Sequence, residues 1–269
     1  MISTGQGRRE TAVGFTSTDL LLTLGALALL ALLQLPAFAY NREDSHRAVC
    51  AENLRRLTLS WLMYADDNGG RLAPNFSSGL TSLTNNWVAG ILDYSIRSDN
   101  TNPATITQAR LYPYNQATEI YRCPADLSAV QGQLRIRSYS MNGWLGTGAS
   151  GWNVMPSSFQ IPTRLDSVRQ PDRTFVFIEE HPDSINDGLF VMDMLNTGTK
   201  ARIIDFPAAY HYVGANLGFG DGSVQYREWL DARTTPPMRF GSGPGLVLDV
   251  SSAGNPDIQW LQDRTTYRK

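Results

Sequence analysis

The feature that most constrains this chain is an uncharged, apolar run over residues 20–40, preceded by a single acid, Asp19. A helix rises about 1.5 Å per residue, so a run of this length can cross the roughly 30 Å hydrocarbon layer of a bilayer. It therefore predicts a transmembrane helix over about residues 20–40. Two alternatives stay open: a core helix buried inside a globular protein, and a secretory signal peptide cleaved after "AFA" at residues 37–39.

The polar segment before this run predicts its orientation. Residues 1–14 carry Arg8 and Arg9, and positive charges favour the cytoplasmic side of a membrane. The chain after residue 40 is then predicted to lie on the other side. Asp19 would lie close to the apolar layer, where a carboxylate is costly unless it is paired. Such a group in such a place suggests a function.

The residues around Asp19 match a known signal. "GFTSTDLL" at residues 14–21 resembles the class III signal of type IV prepilins and type II secretion pseudopilins. The resemblance implies that prepilin peptidase cleaves after Gly14 and methylates the new N-terminal Phe15. It also places Asp19 at the fifth mature position and Pro36 at the twenty-second, where many members have a helix-bending proline. The chain departs from the family in having Asp instead of Glu, and Ser17 and Thr18 where two apolar residues are common.

This resemblance implies a role for the lone acid. In filaments of the family, the fifth-residue carboxylate neutralises the N-terminal ammonium of the neighbouring subunit, so Asp19 would form half of an intermolecular ion pair. The alternative is a polar residue that flanks an apolar helix and reaches the water interface.

After the apolar run, apolar residues recur at helical spacing. They form one predicted core stripe, whose members are Cys50, Leu54, Leu57, Trp61 and Ala65. "DDNGG" at residues 66–70 predicts the helix end, because glycine adopts the left-handed conformation that closes a helix. Residues 50–75 also resemble a bacterial pseudopilin-like group in which this helix runs into a "YADDN-G-R-P" turn.

Beyond this helix, short β-branched and aromatic runs alternate with Gly, Pro, Asn and Asp, which predicts an antiparallel sheet. The expected fold is α+β and pilin-like, with a long N-terminal helix, transmembrane and then amphipathic, packed against that sheet. The expected segments are a leader at 1–14, the helix at 15–68 and a β-rich extracytoplasmic domain at 69–269. Asp221 and Gly222 predict a two-residue hairpin turn that pairs Phe219 with Val224.

Further motifs extend the resemblance to about residue 230. Nine residues separate His211 from Asp221 and Gly222, which resembles the "H-x9-DG" signature of the pseudopilin-like group. "CPAD" at residues 123–126 and "SYSMNG" at residues 138–143 also resemble motifs of that group. The Pro and Gly content of the tail after Trp229 predicts surface loops.

The two cysteines, Cys50 and Cys123, leave two alternatives open: two buried free thiols, or a disulfide that fastens the sheet to the helix in an exported domain. Closing a loop of this length stabilises by about 4 kcal/mol in the chain-entropy model.

One acidic segment has the composition of a ligand site. Residues 178–188 contain Glu179, Glu180, His181, Asp183 and Asp187, whose oxygens suit calcium. EF-hand spacing is absent, and the same residues are typical of turns, so a structural loop is the main interpretation, with calcium or catalysis as alternatives. No metal or cofactor is assigned to the chain.

The sequence contains no recognised motif for a nucleophile, a metalloprotease or a phosphate loop, so an enzyme is not expected. The formal net charge of −2 gives no reason to expect nucleic acid as a partner. The resemblance implies a structural subunit of a type IV pilus-like filament or a type II secretion pseudopilus. Its partners would be prepilin peptidase, other pilin or pseudopilin subunits and the inner membrane.

The expected location follows from the same resemblance. The chain would be a single-pass inner-membrane protein with its C-terminal domain in the periplasm, and would then enter the filament or pseudopilus. The alternative function is a signal-anchored extracytoplasmic enzyme or binding module that does not polymerise.

Overall fold

The computed structural model describes residue 14 and residues 16–76, 85–146 and 155–269, except for the side chains of residues 31–42 and 98. The chain divides into two compact units at the boundary between residues 42 and 43.

The longest element is α1, Ser17–Asp67, which belongs to both units. It ends where Gly69 and Gly70 adopt positive φ angles of 62° and 81°. The Gly70 amide there donates to the Ala65 carbonyl (2.7 Å), which satisfies one of the free carbonyls of the last turn.

The expected transmembrane helix is wrong. Within the described residues, no helix is both long enough and apolar enough to cross a membrane. Within the predicted span, the side chains of residues 31–40 lie outside the described residues. The predicted single-pass inner-membrane location with a periplasmic C-terminal domain is therefore not supported and is withdrawn.

The second unit is built on short strands. They are β1 (Ala129–Val130), β2 (Gln133–Leu134), β3 (Tyr139–Asn142), β4 (Phe175–Glu179), β5 (Leu189–Phe190), β6 (Arg202–Ile203), β7 (Gly214–Phe219), β8 (Val224–Glu228) and β9 (Val250–Ser251). Two short α-helices accompany them, α2 (Ala104–Thr107) and α3 (Pro256–Gln262). The 3-10 helices described are Ser98–Asn100, Tyr112–Tyr114, Glu119–Tyr121, Leu165–Ser167 and Gly198–Lys200.

The main sheet has five strands in the order β5-β3-β4-β7-β8, and β1-β2 and β6-β9 form two small antiparallel pairs. The predicted antiparallel sheet is wrong at one edge, because β5 pairs with β3 in parallel. The segment between β4 and β5 crosses over, so β5 lies next to β3 instead of forming a hairpin with β4. The fold class is thus a mixed sheet with α1, rather than the predicted transmembrane helix on an antiparallel sheet.

The core next to α1, here called the helix-side core, contains the predicted stripe. Its α1 members are fully buried, which confirms the stripe; they are Cys50, Leu54, Leu57, Trp61 and Ala65. Trp87 packs in the same core against Tyr121 and Phe177, with ring centroids at 6.3 and 5.0 Å.

A second core, here called the tail-side core, includes Leu217, Phe219, Ile258 and Leu261. Ile258 and Leu261 belong to α3 and are 1% and 0% exposed, so the prediction of surface loops is wrong for this part of the tail. Asn255 starts α3 by accepting the amides of Asp257 and Ile258. The tail thus contributes a capped helix to the core.

The predicted register of the β7–β8 hairpin is off by one residue. Val224 pairs with Gly218, not with Phe219. The loop has three residues, 220–222: the Gly222 amide donates to the Phe219 carbonyl, and Gly222 has a φ of 89°. A three-residue loop with a left-handed glycine is the common alternative to the two-residue turn. Val224 consequently packs on the helix-side core, whereas Phe219 lies in the tail-side core.

Gly218 allows α1 to approach the sheet closely. A Cβ atom at this position would lie 2.3 Å from Thr58 Oγ1, whereas its next neighbours, the Leu54 carbonyl oxygen and Thr58 Cβ, lie at 3.5 and 3.7 Å. The clash therefore involves a single atom of α1, the Thr58 hydroxyl oxygen.

We expect Gly218→Ala to lower the free energy of unfolding by about 1–3 kcal/mol, the usual cost of overpacking. Thr58→Ala removes the clashing oxygen, so the double variant should recover most of that loss. Urea unfolding of the two single variants and the double variant measures the coupling. Additive effects of the two substitutions would contradict the close approach.

Candidate functional site

The N-terminal signal lies at the start of α1. Gly14 is exposed, and a Cβ atom built on it would meet no other atom within 4 Å. Phe15 lies outside the described residues. α1 continues through position 36, and the Pro36 side chain also lies outside the described residues.

Asp19 and Thr16 cap this end of α1 reciprocally. The Thr16 amide and hydroxyl donate to Asp19 Oδ2 (2.9 and 2.7 Å), and the Asp19 amide donates to Thr16 Oγ1 (3.2 Å). This is the geometry of a capping box. The Thr16 hydrogen bonds hold the pKa of Asp19 below its ordinary value, so the carboxylate is charged at neutral pH.

The first turns of α1 carry large apolar side chains that the described residues leave exposed. Seven leucines, here called the leucine segment, are 50–69% exposed: Leu20, Leu21, Leu22, Leu24, Leu27, Leu29 and Leu30. At these spacings they lie on all sides of the helix. An apolar surface of this kind is typical of a contact with another protein or with a membrane.

A second site lies where α1 meets the sheet. Cys50, on α1, forms a disulfide with Cys123, which follows the 3-10 helix Glu119–Tyr121; their Cα atoms are 5.4 Å apart. Both side chains are fully buried. The disulfide fastens α1 to the loop that precedes β1.

His211 and Glu179 lie beside this disulfide. His211 Nε2 is 3.4 Å from Cys123 Sγ and 3.1 Å from Glu179 Oε1. The Asn216 amide donates to Glu179 Oε2 (2.8 Å). Glu179 ends β4 and His211 precedes β7, so the β4–β7 pairing brings the two side chains together. We call Cys50, Cys123, Glu179 and His211 the Cys–His–Glu cluster.

The two halves of the H-x9-DG motif do not meet. His211 lies before β7, whereas Asp221 and Gly222 form the turn after it. Asp221 Oδ1 accepts the Ser223 amide (2.9 Å) and so stabilises that turn. The motif therefore brackets one strand: its first residue serves the Cys–His–Glu cluster, and its last two serve the hairpin.

The other two motifs fix the cysteine loop and the end of β3. Asp126 accepts hydrogen bonds from the Ser128 amide (2.8 Å) and the Ser138 hydroxyl (2.6 Å), and Ser138 Oγ accepts the Cys123 amide (3.1 Å). Asn142 Nδ2 donates to the carbonyls of Phe175 and Thr265. In both motifs the polar side chains satisfy buried backbone groups.

The acidic side chains of segment 178–188 bind different partners and do not converge on one site. Glu180 Oε1 accepts the Ser184 hydroxyl (3.0 Å), and Asp187 Oδ1 accepts the Leu189 amide (2.9 Å). Asp183 accepts the backbone amides of residues 239–241. Of the five candidate ligands in this segment, only Glu179 belongs to the group that could hold a metal within the described residues. These contacts favour the structural interpretation of the segment.

Sequence reasoning missed three buried polar residues near these sites. Asn216 lies inside β7 and holds Glu179 through its amide. Asp205 accepts the Val191 amide (2.6 Å), and Arg137 Nη1 donates to the Tyr139 carbonyl (2.9 Å). No local motif marks these positions: the partners of Asn216 and Asp205 lie 37 and 14 residues away in sequence, whereas Arg137 contacts a carbonyl two residues further on.

Burial disturbs the ionisation of two carboxyl groups in this region. It raises the pKa of Asp205 to about 7, with a further contribution from Asp187 and an opposing one from the Val191 amide. Burial and the Asp205 charge raise the pKa of Glu180 well above its ordinary value. The folded protein therefore retains protons here that the unfolded chain releases.

No protein-family model matches this chain, and neither a curated protein nor a solved structure matches it.

Proposed function

We propose that this chain is a prepilin-type structural subunit that is cleaved after Gly14 and assembles with like subunits into a type IV pilus-like filament or a type II secretion pseudopilus. The observation that carries the proposal is the leucine segment, whose side chains are at least 50% exposed. Fully burying a leucine stabilises by about 1.5–3 kcal/mol. Like helices from neighbouring subunits would supply that burial.

The signal residues support the same assignment. Gly14 is exposed, as a cleavage site must be, and Asp19 carries its charge at the start of α1. Cleavage would free the α-amine of Phe15, and Asp19 of a neighbouring subunit would pair with that ammonium. Prepilin peptidase and other pilin or pseudopilin subunits are then the partners, and the chain itself has no catalytic role.

The capping box offers Asp19 a second role, so the test must separate its charge from its cap. Asp19→Asn keeps an oxygen that can accept the Thr16 amide but removes the charge. Thr16→Ala removes the hydroxyl contacts of the cap but keeps the charge, at a cost of about 0.5–2 kcal/mol in helix stability.

We expect Asp19→Asn to be cleaved normally but incorporated at least about a hundredfold less into filaments, because breaking a buried ion pair costs about 3–5 kcal/mol. Thr16→Ala should assemble nearly as the unmodified chain does. The measurement is the amount of the chain in sheared, sedimented filaments from the native host. Equal incorporation of Asp19→Asn and the unmodified chain would leave Asp19 with a capping role alone.

Intact-mass analysis of the mature chain tests processing directly. The proposal requires a species that begins at N-methylated Phe15. Retention of residues 1–14, or cleavage after Ala39, would instead support the non-polymerising enzyme or binding module.

A further inference from the structure

The Cys–His–Glu cluster brings together four metal-ligating side chains. Each offers one ligand atom, and these atoms all lie within 4.8 Å of one another. All four side chains are fully buried. We propose that reduction of the Cys50–Cys123 disulfide converts this cluster into a binding site for one zinc ion. The inference does not depend on the proposed function.

The distances fit a tetrahedral ion. Zinc binds sulfur at about 2.3 Å and nitrogen or oxygen at about 2.0–2.2 Å, so neighbouring ligands lie roughly 3–4 Å apart. His211 Nε2 is already 3.4 Å from Cys123 Sγ and 3.1 Å from Glu179 Oε1. The two sulfurs, joined by a covalent bond, are too close to bind the same ion separately. The cluster can therefore hold either the metal ion or the disulfide, but not both at once.

The donor set selects zinc over calcium. Two thiolates and one imidazole provide soft and borderline ligands beside a single carboxylate, whereas calcium takes six to eight oxygens. Two thiolates and Glu179 compensate the two positive charges of the ion and leave one net negative charge. The Asn216 amide, 2.8 Å from Glu179 Oε2, orients the carboxylate.

His211 has a free nitrogen for the required tautomer. Nδ1 has no hydrogen-bond partner within the described part of the chain. When Nε2 binds the ion, the proton moves to Nδ1 without breaking a hydrogen bond at that atom. What the metal replaces is the contact between Nε2 and Glu179 Oε1.

The redox step balances with a dithiol as the reductant. The dithiol gives two electrons and two protons to the Cys50–Cys123 bond and becomes a disulfide itself. The two new thiols then release two protons to solvent as the zinc–sulfur bonds form. Because the four side chains are buried, the ion enters only when the structure opens locally, and we expect slow binding.

The experiment uses the full chain, oxidised or reduced by a phosphine under oxygen-free conditions, with zinc chloride as the probe. We expect one zinc per reduced chain and none per oxidised chain, measured by competition with a chelating dye after equilibrium dialysis. Cobalt(II) in place of zinc should give the charge-transfer and ligand-field absorption of a tetrahedral thiolate site. Absence of binding to reduced, folded protein, or equal binding to oxidised protein, would overturn the proposal.

Two ligand variants and one control locate the ion. Loss of a second-shell partner already weakens zinc binding about 10–100-fold, so Glu179→Gln and His211→Ala should each weaken it by at least that factor. The control is His46→Ala, since His46 is a partly exposed histidine outside the cluster. Its affinity should not change. Unchanged affinity in both variants would show that the thiols bind zinc without His211 and Glu179, and would overturn the proposal.

The variants are checked for folding by circular dichroism. If His211→Ala does not fold, Glu179→Gln decides, because glutamine has the same size and can still accept the Asn216 amide. If the reduced chain unfolds, zinc must refold it; a chain that stays unfolded with zinc would contradict the site.

Discussion

Replacing Cys50 and Cys123 together with alanine is expected to lower the free energy of unfolding by about 4 kcal/mol. The disulfide joins residues 73 apart in sequence. In the chain-entropy model, opening such a loop raises the conformational entropy of the unfolded chain and so lowers its free energy by that amount. The total stability of a domain is about 5–15 kcal/mol, so the double variant should remain folded with a small margin. Urea unfolding measures the difference.

The slope of the urea transition, the m-value, shows whether the stability is lost with the cross-link or with the packing of the two side chains. Without the bond, the unfolded chain is more expanded and exposes more surface, so the m-value should rise in the double variant. A loss of core packing alone would lower the midpoint and leave the m-value unchanged. The reduced form of the unmodified chain is the matched control, and its m-value should equal that of the double variant.

The result also bears on the zinc proposal. Zinc should restore part of the lost stability to the reduced chain, because a ligand that binds only the folded state stabilises that state. It should not stabilise the double alanine variant, which lacks both thiols. If the double variant were as stable as the oxidised chain, with the same m-value, the disulfide would contribute nothing to the fold.

The helix spacing of the core stripe was readable from sequence because it depends on local periodicity. Cys50, Leu54, Leu57, Trp61 and Ala65 recur at helical intervals, and the structure buries all five. The membrane prediction from the neighbouring run used only length and hydrophobicity, and it does not hold for the described helix. Periodicity along a chain thus predicted burial here better than apolar content did.

The sheet could be predicted only in outline. Strand composition marked β4 and β7, but the parallel pairing of β5 with β3 depends on the path of the segment after β4. The hairpin register failed because a three-residue loop and a two-residue turn share the same Asp-Gly signal. The first feature depends on segments distant in sequence, and the second on a choice between two local loops that share one signal.

The candidate sites also differ in whether their residues are close together in the sequence. The signal at Gly14 and Asp19 is a local motif, so consecutive residues of the sequence are enough to predict it. The Cys–His–Glu cluster combines four positions spread from residue 50 to residue 211, and sequence assigned Glu179 to a different loop. The sequence did not decide whether Cys50 and Cys123 form a disulfide. The answer depends on the distance between α1 and the loop before β1. A tertiary cluster of this kind has no signal in any single segment.

The buried carboxyl group of Asp205 should make the protein less stable as the pH rises. Burial raises its pKa from the ordinary value of 3.8 to about 7. Between about pH 4 and pH 7 the unfolded chain has therefore released this proton while the folded protein retains it. The folded state then binds more protons, and linkage requires the free energy of unfolding to fall across this window and to level off above it.

Asp205→Asn tests this directly. Asparagine can still accept the Val191 amide, which lies 2.6 Å from Asp205 Oδ2, and it has no proton to lose. We expect the stability of the variant, relative to the unmodified chain, to increase by up to about 4 kcal/mol between pH 4 and pH 8. Asp172→Asn, at an exposed carboxyl group, is the control and should give a difference that does not change with pH. Urea unfolding at several pH values gives both curves.

The sign of the result distinguishes two arrangements of the buried charges. Arg137 Nη2 has no hydrogen-bond partner within the described residues, and an ionised carboxylate that paired with it would be stabilised. In that case Asp205 would lose its proton at low pH in the folded protein, and Asp205→Asn would be destabilising at neutral pH. A variant that gains stability as the pH rises requires instead that Asp205 stays protonated in the fold. Burial then decides the protonation of Asp205.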